Sequence, residues 1–275
     1  LPQNTKQLKT RIKSVNSTMH ITKAMELVAS SKLRRATENM EASRPYFDAL
    51  SSAVPSLSKA DSIFSKPSEE KHPLYVVVAG DRGLAGGYNN NIYKLLKANT
   101  DGKAARVIPI GKRMAEYAAK HGYDALKSFP SVEDFSVADS ANIGKSVKDE
   151  FAAGNIDAVF IVYTKYVSML SQTATVKKIL PVECEDDAEK KSGETLFEPS
   201  AEAVIDAAVP EYVSGMVYGA VCESFASELS ARRNAMDNAT QNAEEMIDTL
   251  ELRYNRARQS AITQEITEII GGSES

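Results

Sequence analysis

Between Pro210 and Gly271 the chain has no proline, and its only glycines there are Gly215 and Gly219. With so little to break it, this stretch is expected to form one helix, roughly 90 Å long at about 1.5 Å per residue. Pro210 suits the first turn, and Gly271-Gly272 reads as the stop. A helix of that length cannot lie across a compact core, so it needs a partner helix for part of its length and other chains for the rest. Cysteine is scarce: Cys184 and Cys222 make no CxxC pair, which implies neither a disulfide framework nor a zinc site and suits a reducing compartment. The histidines, His20, His72 and His121, are too scattered to suggest a metal centre. No apolar run approaches the roughly eighteen residues of a membrane span. A formal net charge of -4 excludes a uniformly basic nucleic-acid binder.

What the chain does have is a seam. From Leu8, residues Ile12, Val15, Met19, Thr22, Glu26, Ala29, Leu33, Ala36, Met40, Ser43, Phe47, Leu50, Val54 and Leu57 follow at alternating steps of four and three. Most are apolar, the pattern of a coiled coil, with Pro45 and Pro55 expected to bend or end the helix. Small and polar occupants at Thr22, Glu26, Ala29 and Ala36 argue for an asymmetric, partly exposed pairing rather than a symmetric zipper.

Residues 58–73 are polar and proline-bearing and read as a linker. Then the texture changes. Leu74–Ala79 and Asp157–Tyr163 are continuous apolar runs, read as strands buried on both faces, and Arg106–Ile110 is a third strand. Thr173–Val182 alternates like an edge strand. Helices are expected near Ile92–Ala98, over Lys112–His121 and Val137–Ala152, and over Ser200–Ala208. The acidic block Glu183–Pro199 reads as weakly structured. Strands alternating with helices predict an α/β fold, a doubly wound, mostly parallel-sheet domain. It is inserted in a long antiparallel coiled coil of the N- and C-terminal helices, the only way two helices so separated can return alongside each other. The divisions are 1–58 (first long helix), 59–73 (linker), 74–208 (α/β domain, foot-like at one end of a rod) and 209–275 (second long helix).

Gly80–Gly87 follows a strand and leads toward a helix, the right context for a phosphate-binding loop. Its spacing is wrong: neither GxxxxGK[ST] nor GxGxxG is present, and no acidic residue closes the second strand. A tight strand-to-helix turn is the better reading. Ser30, Ser31 and Cys222 have no general base nearby in sequence, so no nucleophile, no active site and no cofactor are expected. Residues 6–35 carry Lys6, Lys9, Arg11, Lys13, Lys23, Lys32, Arg34 and Arg35 against the single acid Glu26. Such a stretch could bind nucleic acid, be a solvated helix face, or meet acidic protein surfaces in an assembly. Without interleaved aromatics, and around a heptad seam, the last reading is preferred.

Ile21–Ala36 (ITKAMELVASSKLRRA) and Asn238–Gly272, above all RARQSAITQEI, resemble the terminal signatures of the ATP synthase gamma-subunit family. Asp81–Asn91 (DRGLAGGYNNN) is similar to the loop of that family's central domain. The resemblance implies a non-catalytic rotor shaft inside a ring of alpha and beta subunits, with the α/β domain as a foot on a membrane c ring beside a small foot subunit. Proton flow turns the ring, and the shaft cycles the catalytic beta subunits. It also implies rotor–stator contacts at Lys23 and Met25 on the first helix and at Arg258, Gln259, Thr263 and Ile266 on the second. The stripe Ile262, Ile266, Ile269, Ile270 is expected to extend beyond the partner helix into an apolar collar. The start at Leu1 and the lack of paired cysteines after Cys184 point to a mitochondrial member, peripheral on the matrix side of the inner membrane, with a bacterial plasma-membrane member next. The alternatives are a coiled-coil scaffold and a nucleotide-binding α/β enzyme.

Overall fold

The computed structural model describes residues 2–55, 62–101, 105–183, 198 and 200–273, in two compact units. Cys184, Leu57 and most of the acidic block after Glu183 lie outside the described residues. One unit comprises residues 1–30 and 232–275, the other residues 31–231. Two long helices, α1 (Pro2–Ala53) and α5 (Ala201–Ser273), each contribute to both.

The larger unit is built on a five-stranded sheet of β1 (Pro73–Val78), β2 (Arg106–Ile110), β3 (Asp124–Ala125), β4 (Ala158–Tyr166) and β5 (Gln172–Leu180). Its order is β3-β2-β1-β4-β5, parallel except for the antiparallel edge pair β4–β5. Alternation along β1 feeds two cores. Tyr75, Val77 and Ala79 pack on one face against Ile92 and Leu96 of α2 (Tyr88–Asn99) and Met114 and Ala118 of α3 (Lys112–His121). Leu74, Val76 and Val78 pack on the other against Ile143, Val147 and Phe151 of α4 (Val137–Ala152) and Ile205, Val209 and Val213 of α5. Burial on both faces is what the continuous apolar runs required. Ser136 caps α4, its hydroxyl accepting from Asp139 N while the Asp139 carboxylate accepts from Ser136 N.

Three local features differ from the expectations. The strand β3 is two exposed residues, too short and too polar to carry a pattern. The described part of the linker is tied down: Phe64 is buried against Phe151, its carbonyl accepts from Val182 N at 2.6 Å, and Ser62 Oγ donates to Asp206. Neither Pro45 nor Pro210 breaks its helix. An interior proline removes one backbone hydrogen bond and costs about 3 kcal/mol. At Pro210 this is offset by fully buried Ile205, Val209 and Val213 on both sides, each contributing about 2 kcal/mol. So Ser200–Ala208 is the first part of α5 rather than a separate helix, and α5 runs past Gly271-Gly272 to Ser273.

The seam holds throughout. In the larger unit Leu33, Ala36 and Met40 are buried with Ala226 and Leu229 of α5. A methyl group added at Gly219 would meet the Phe47 ring at 2.9 Å, and one at Gly215 would meet Leu50 at 2.3 Å. The two glycines that stand out in the C-terminal stretch are thus places where side chains of α1 pack directly on the backbone of α5. In the smaller unit Leu8, Ile12, Val15 and Met19 are half-buried, Thr22 and Ala29 are buried, and Met236, Thr240, Ala243 and Leu250 are buried on α5. The Thr22 and Thr240 hydroxyls are 2.8 Å apart. In both units residue numbers rise on one helix as they fall on the other, which makes the pairing antiparallel.

Close approach and backbone conformation separate at two other glycines. A methyl on Gly144 would sit 2.2 Å from the Pro210 carbonyl oxygen, whereas Gly154 has open space but a φ of 73°. Gly144→Ala is expected to cost about 3 kcal/mol by forcing α4 from α5, and Gly154→Ala about 1 kcal/mol from the left-handed backbone alone. Urea denaturation of the two variants checks the ranking; equal losses would contradict the packing described.

Candidate functional site

In a doubly wound sheet the ligand crevice opens at the carboxyl ends of the strands where the order reverses, here beside β1 and β4. That crevice is filled from within. Ser224 Oγ accepts from Thr164 N at 2.9 Å, Ser227 Oγ donates to Thr164 O, and Tyr88 OH donates to Ser224 O, so α5 is laced to β4 and α2. Glu228, 3 % exposed, backs directly onto Gly80, where an added methyl would lie 2.6 Å from its Oε1. The anion position is taken by the protein's own carboxylate: Asp81 accepts from Lys112 N at the start of α3 and from Val132 N at 2.9 Å. Gly80 N donates to Asn89 Oδ1 and Gly80 O accepts from Arg113 N. The glycine-rich loop is a turn that seats α5.

The residues implied as contacts all fall in the smaller unit. Lys23 is exposed and Met25 half-buried, beside the seam at Thr22. Arg258, Gln259 and Thr263 are exposed on α5, as is Ile266. Thr263 Oγ1 donates to Gln259 O at 3.0 Å, so this hydroxyl is satisfied by its own helix. The Arg258 guanidinium and the Gln259 side-chain amide engage no side chain among the described residues. Thr22 lies opposite Thr240, and Arg258 comes eighteen residues after Thr240, about 27 Å further along α5. The six residues therefore form two separate surfaces, one around Met25 and one along Arg258–Ile266.

Sequence reasoning missed part of the first surface. Ile21, Leu27 and Val28 are 60 %, 63 % and 58 % exposed. At about 100° per residue, Ile21, Val28 and Met25 share one face of α1, and Ala24 joins them to Leu27. The available signal was that these apolar residues lie off the seam. On α5 the tip is also apolar and exposed, at Ile262, Ile266, Ile269 and Ile270. At the register set by Thr22 and Thr240, α1 starts opposite about residue 260, so that stripe extends past the pairing.

A family model described as ATP synthase matches residues 4–275. The chain is similar to the ATP synthase gamma chain of Ruminococcus albus, with 46% identity over 279 residues covering 98% of each chain. It is 40% identical over 299 residues to the sodium ion specific ATP synthase gamma chain of Acetobacterium woodii, covering 100% of this chain and 99% of that one. Its fold matches a chain in the central stalk/c-ring structure of the Tetrahymena thermophila mitochondrial ATP synthase, with TM-score 0.64, 24% identity, and 80% and 99% of the two chains covered.

If the apolar face of α1 is a surface and not a core, replacing Ile21, Leu27 and Val28 together by Ser leaves the stability of the chain within about 1 kcal/mol. Leu33→Ala, at a buried seam position, costs about 3 kcal/mol. Chemical denaturation followed by circular dichroism distinguishes the two; comparable losses would show that the exposed face is structural.

Proposed function

The chain belongs to the ATP synthase gamma-chain family, and from that premise we propose that it is the central rotor shaft of the complex. It carries out no chemistry itself. It couples proton-driven rotation of the membrane c ring to conformational cycling of the catalytic beta subunits. The observation that carries this reading is the one-sided surface of the smaller unit, where apolar, basic and isoleucine-striped faces are left bare by a narrow seam. A shaft drives its neighbours only if each orientation presents a different surface, and so favours a different conformation at each catalytic site.

In this reading the alpha and beta subunits surround the smaller unit. Ile21, Met25 and Val28, with Lys23 beside them, bear on the catalytic subunits, and Arg258, Gln259 and Thr263 offer directed donors and acceptors to the surrounding ring. Ile266 and its neighbours turn in an apolar collar. The α/β unit is the foot, resting on the c ring together with a small foot subunit. No helix among the described residues is long and apolar enough to cross a membrane, which supports a peripheral position. Identities of 46% and 40% to gamma chains of Ruminococcus albus and Acetobacterium woodii support the cytoplasmic side of a bacterial plasma membrane. They favour it over the mitochondrial matrix face that the sequence first suggested.

Arg258→Ala and Gln259→Ala remove directed hydrogen bonds without emptying a core. In purified complexes both variants are expected to assemble at wild-type yield while coupled ATP turnover falls about three-fold or more. Full assembly with wild-type turnover would reduce these positions to plain helix surface.

A further inference from the structure

A cavity of about 370 Å³ lies in the larger unit between α1, the β4–β5 pair and α5. Gly219, against which the Phe47 ring packs, and Ala220 line it from α5, while Ile161, Tyr163 and Lys165 project from one face of β4 by strand alternation. Lys177 joins them from β5, where it pairs with Ile161. Phe47, Ile161 and Met216 give part of the lining an apolar character, and the volume is that of a small-molecule site.

The walls are charged. Arg44 from α1 and Lys165 and Lys177 from the sheet line the cavity, and all three act electrostatically on the Glu223 carboxylate of α5. The three cations outnumber the two carboxylates of the lining, Glu223 and Asp48, beside apolar Phe47, Ile161 and Met216, which makes a site for a charged head with an apolar body. We propose that this cavity binds a small organic anion, its carboxylate or phosphate head held by Arg44, Lys165 and Lys177 and its body lying on Phe47 and Met216.

Glu223 of α5 tunes the site. Burial pushes its carboxyl above the usual range, and the nearby Lys165 and Arg44 charges oppose that only in part. Tyr163 is pushed up to about 12, by burial first and then by the Glu223 charge, so it stays a hydroxyl donor at any working pH. Asp48 of α1 is the other carboxylate in the lining. Because Glu223 is an acid with a raised pKa, it gains its proton as pH falls through that raised value. Its repulsion of the anion then disappears, so binding tightens toward acid pH.

The test is a fluorescence titration of the full chain with anilinonaphthalene sulfonate, an aromatic anion, in competition with octanoate or inorganic phosphate. One saturable site is expected, about ten-fold weaker in Lys165→Gln and in Arg44→Gln, both exposed positions whose replacement leaves folding intact. Glu223→Gln should bind more tightly than wild type at neutral pH and lose the pH dependence. Displacement by octanoate alone identifies an amphiphilic ligand; displacement by both identifies the head group as sufficient. Affinity unchanged in both cation variants overturns the proposal. So does loss of the dye signal on Leu170→Ser, at the 84 % exposed tip of the β4–β5 hairpin, which would place the dye there instead.

Discussion

The close, narrow approach of α1 to α5 is the constraint on which the other features rest. Where large side chains would hold the helices apart, the seam has Thr22 against Thr240, with Ala29 and Ala243 buried nearby, and Gly215 and Gly219 against Leu50 and Phe47. Two hydroxyls at 2.8 Å fix the register: one donates across the seam, and the other turns back to a carbonyl of its own helix, Met19 O or Met236 O. Such a bond contributes only about 1 kcal/mol, and misregister would lose it, leaving each hydroxyl only the carbonyl of its own helix. A seam this thin buries little apolar surface in the smaller unit. That is why Ile21, Leu27 and Val28 remain available to other chains.

In the larger unit the same helix α5 decides what the α/β fold is used for. The sheet has the order and crossovers of a nucleotide-binding fold, yet its crevice is occupied by Ser224, Ser227 and Glu228. Asp81 supplies from inside the negative charge that a phosphate would bring to the start of α3. Fold does not dictate function; here the architecture serves to anchor a long helix. The charged cavity lies on a different wall, where α5 carries glycine and alanine instead of the residues that lock the crevice.

The seam was fully legible from Leu8 to Val54, because heptad spacing over seven turns of the repeat has no competing explanation. No described position in it is fully exposed. The strands were legible from their apolar runs, and the edge position of β5 from its alternation. Continuity through Pro45 and Pro210 was not, since a local helix-breaking rule lost to tertiary packing that the local sequence does not display. Nor was the anchoring of Phe64, one aromatic in a polar, proline-bearing stretch. The surfaces around Met25 and Arg258 came from resemblance, not from pattern: an exposed residue bears no mark of its partner. The cavity was invisible because it joins residues from four elements in three widely separated stretches of the chain.

The central claim is that α1 and α5 act as one body through their seam. In a chain whose own cysteines are changed to serine, Thr22→Cys with Thr240→Cys places two thiols where two hydroxyls now touch. Oxidation of the assembled complex should form the disulfide in high yield and leave coupled ATP turnover intact. Failure to cross-link, or turnover that stops on oxidation and returns on reduction, would contradict it.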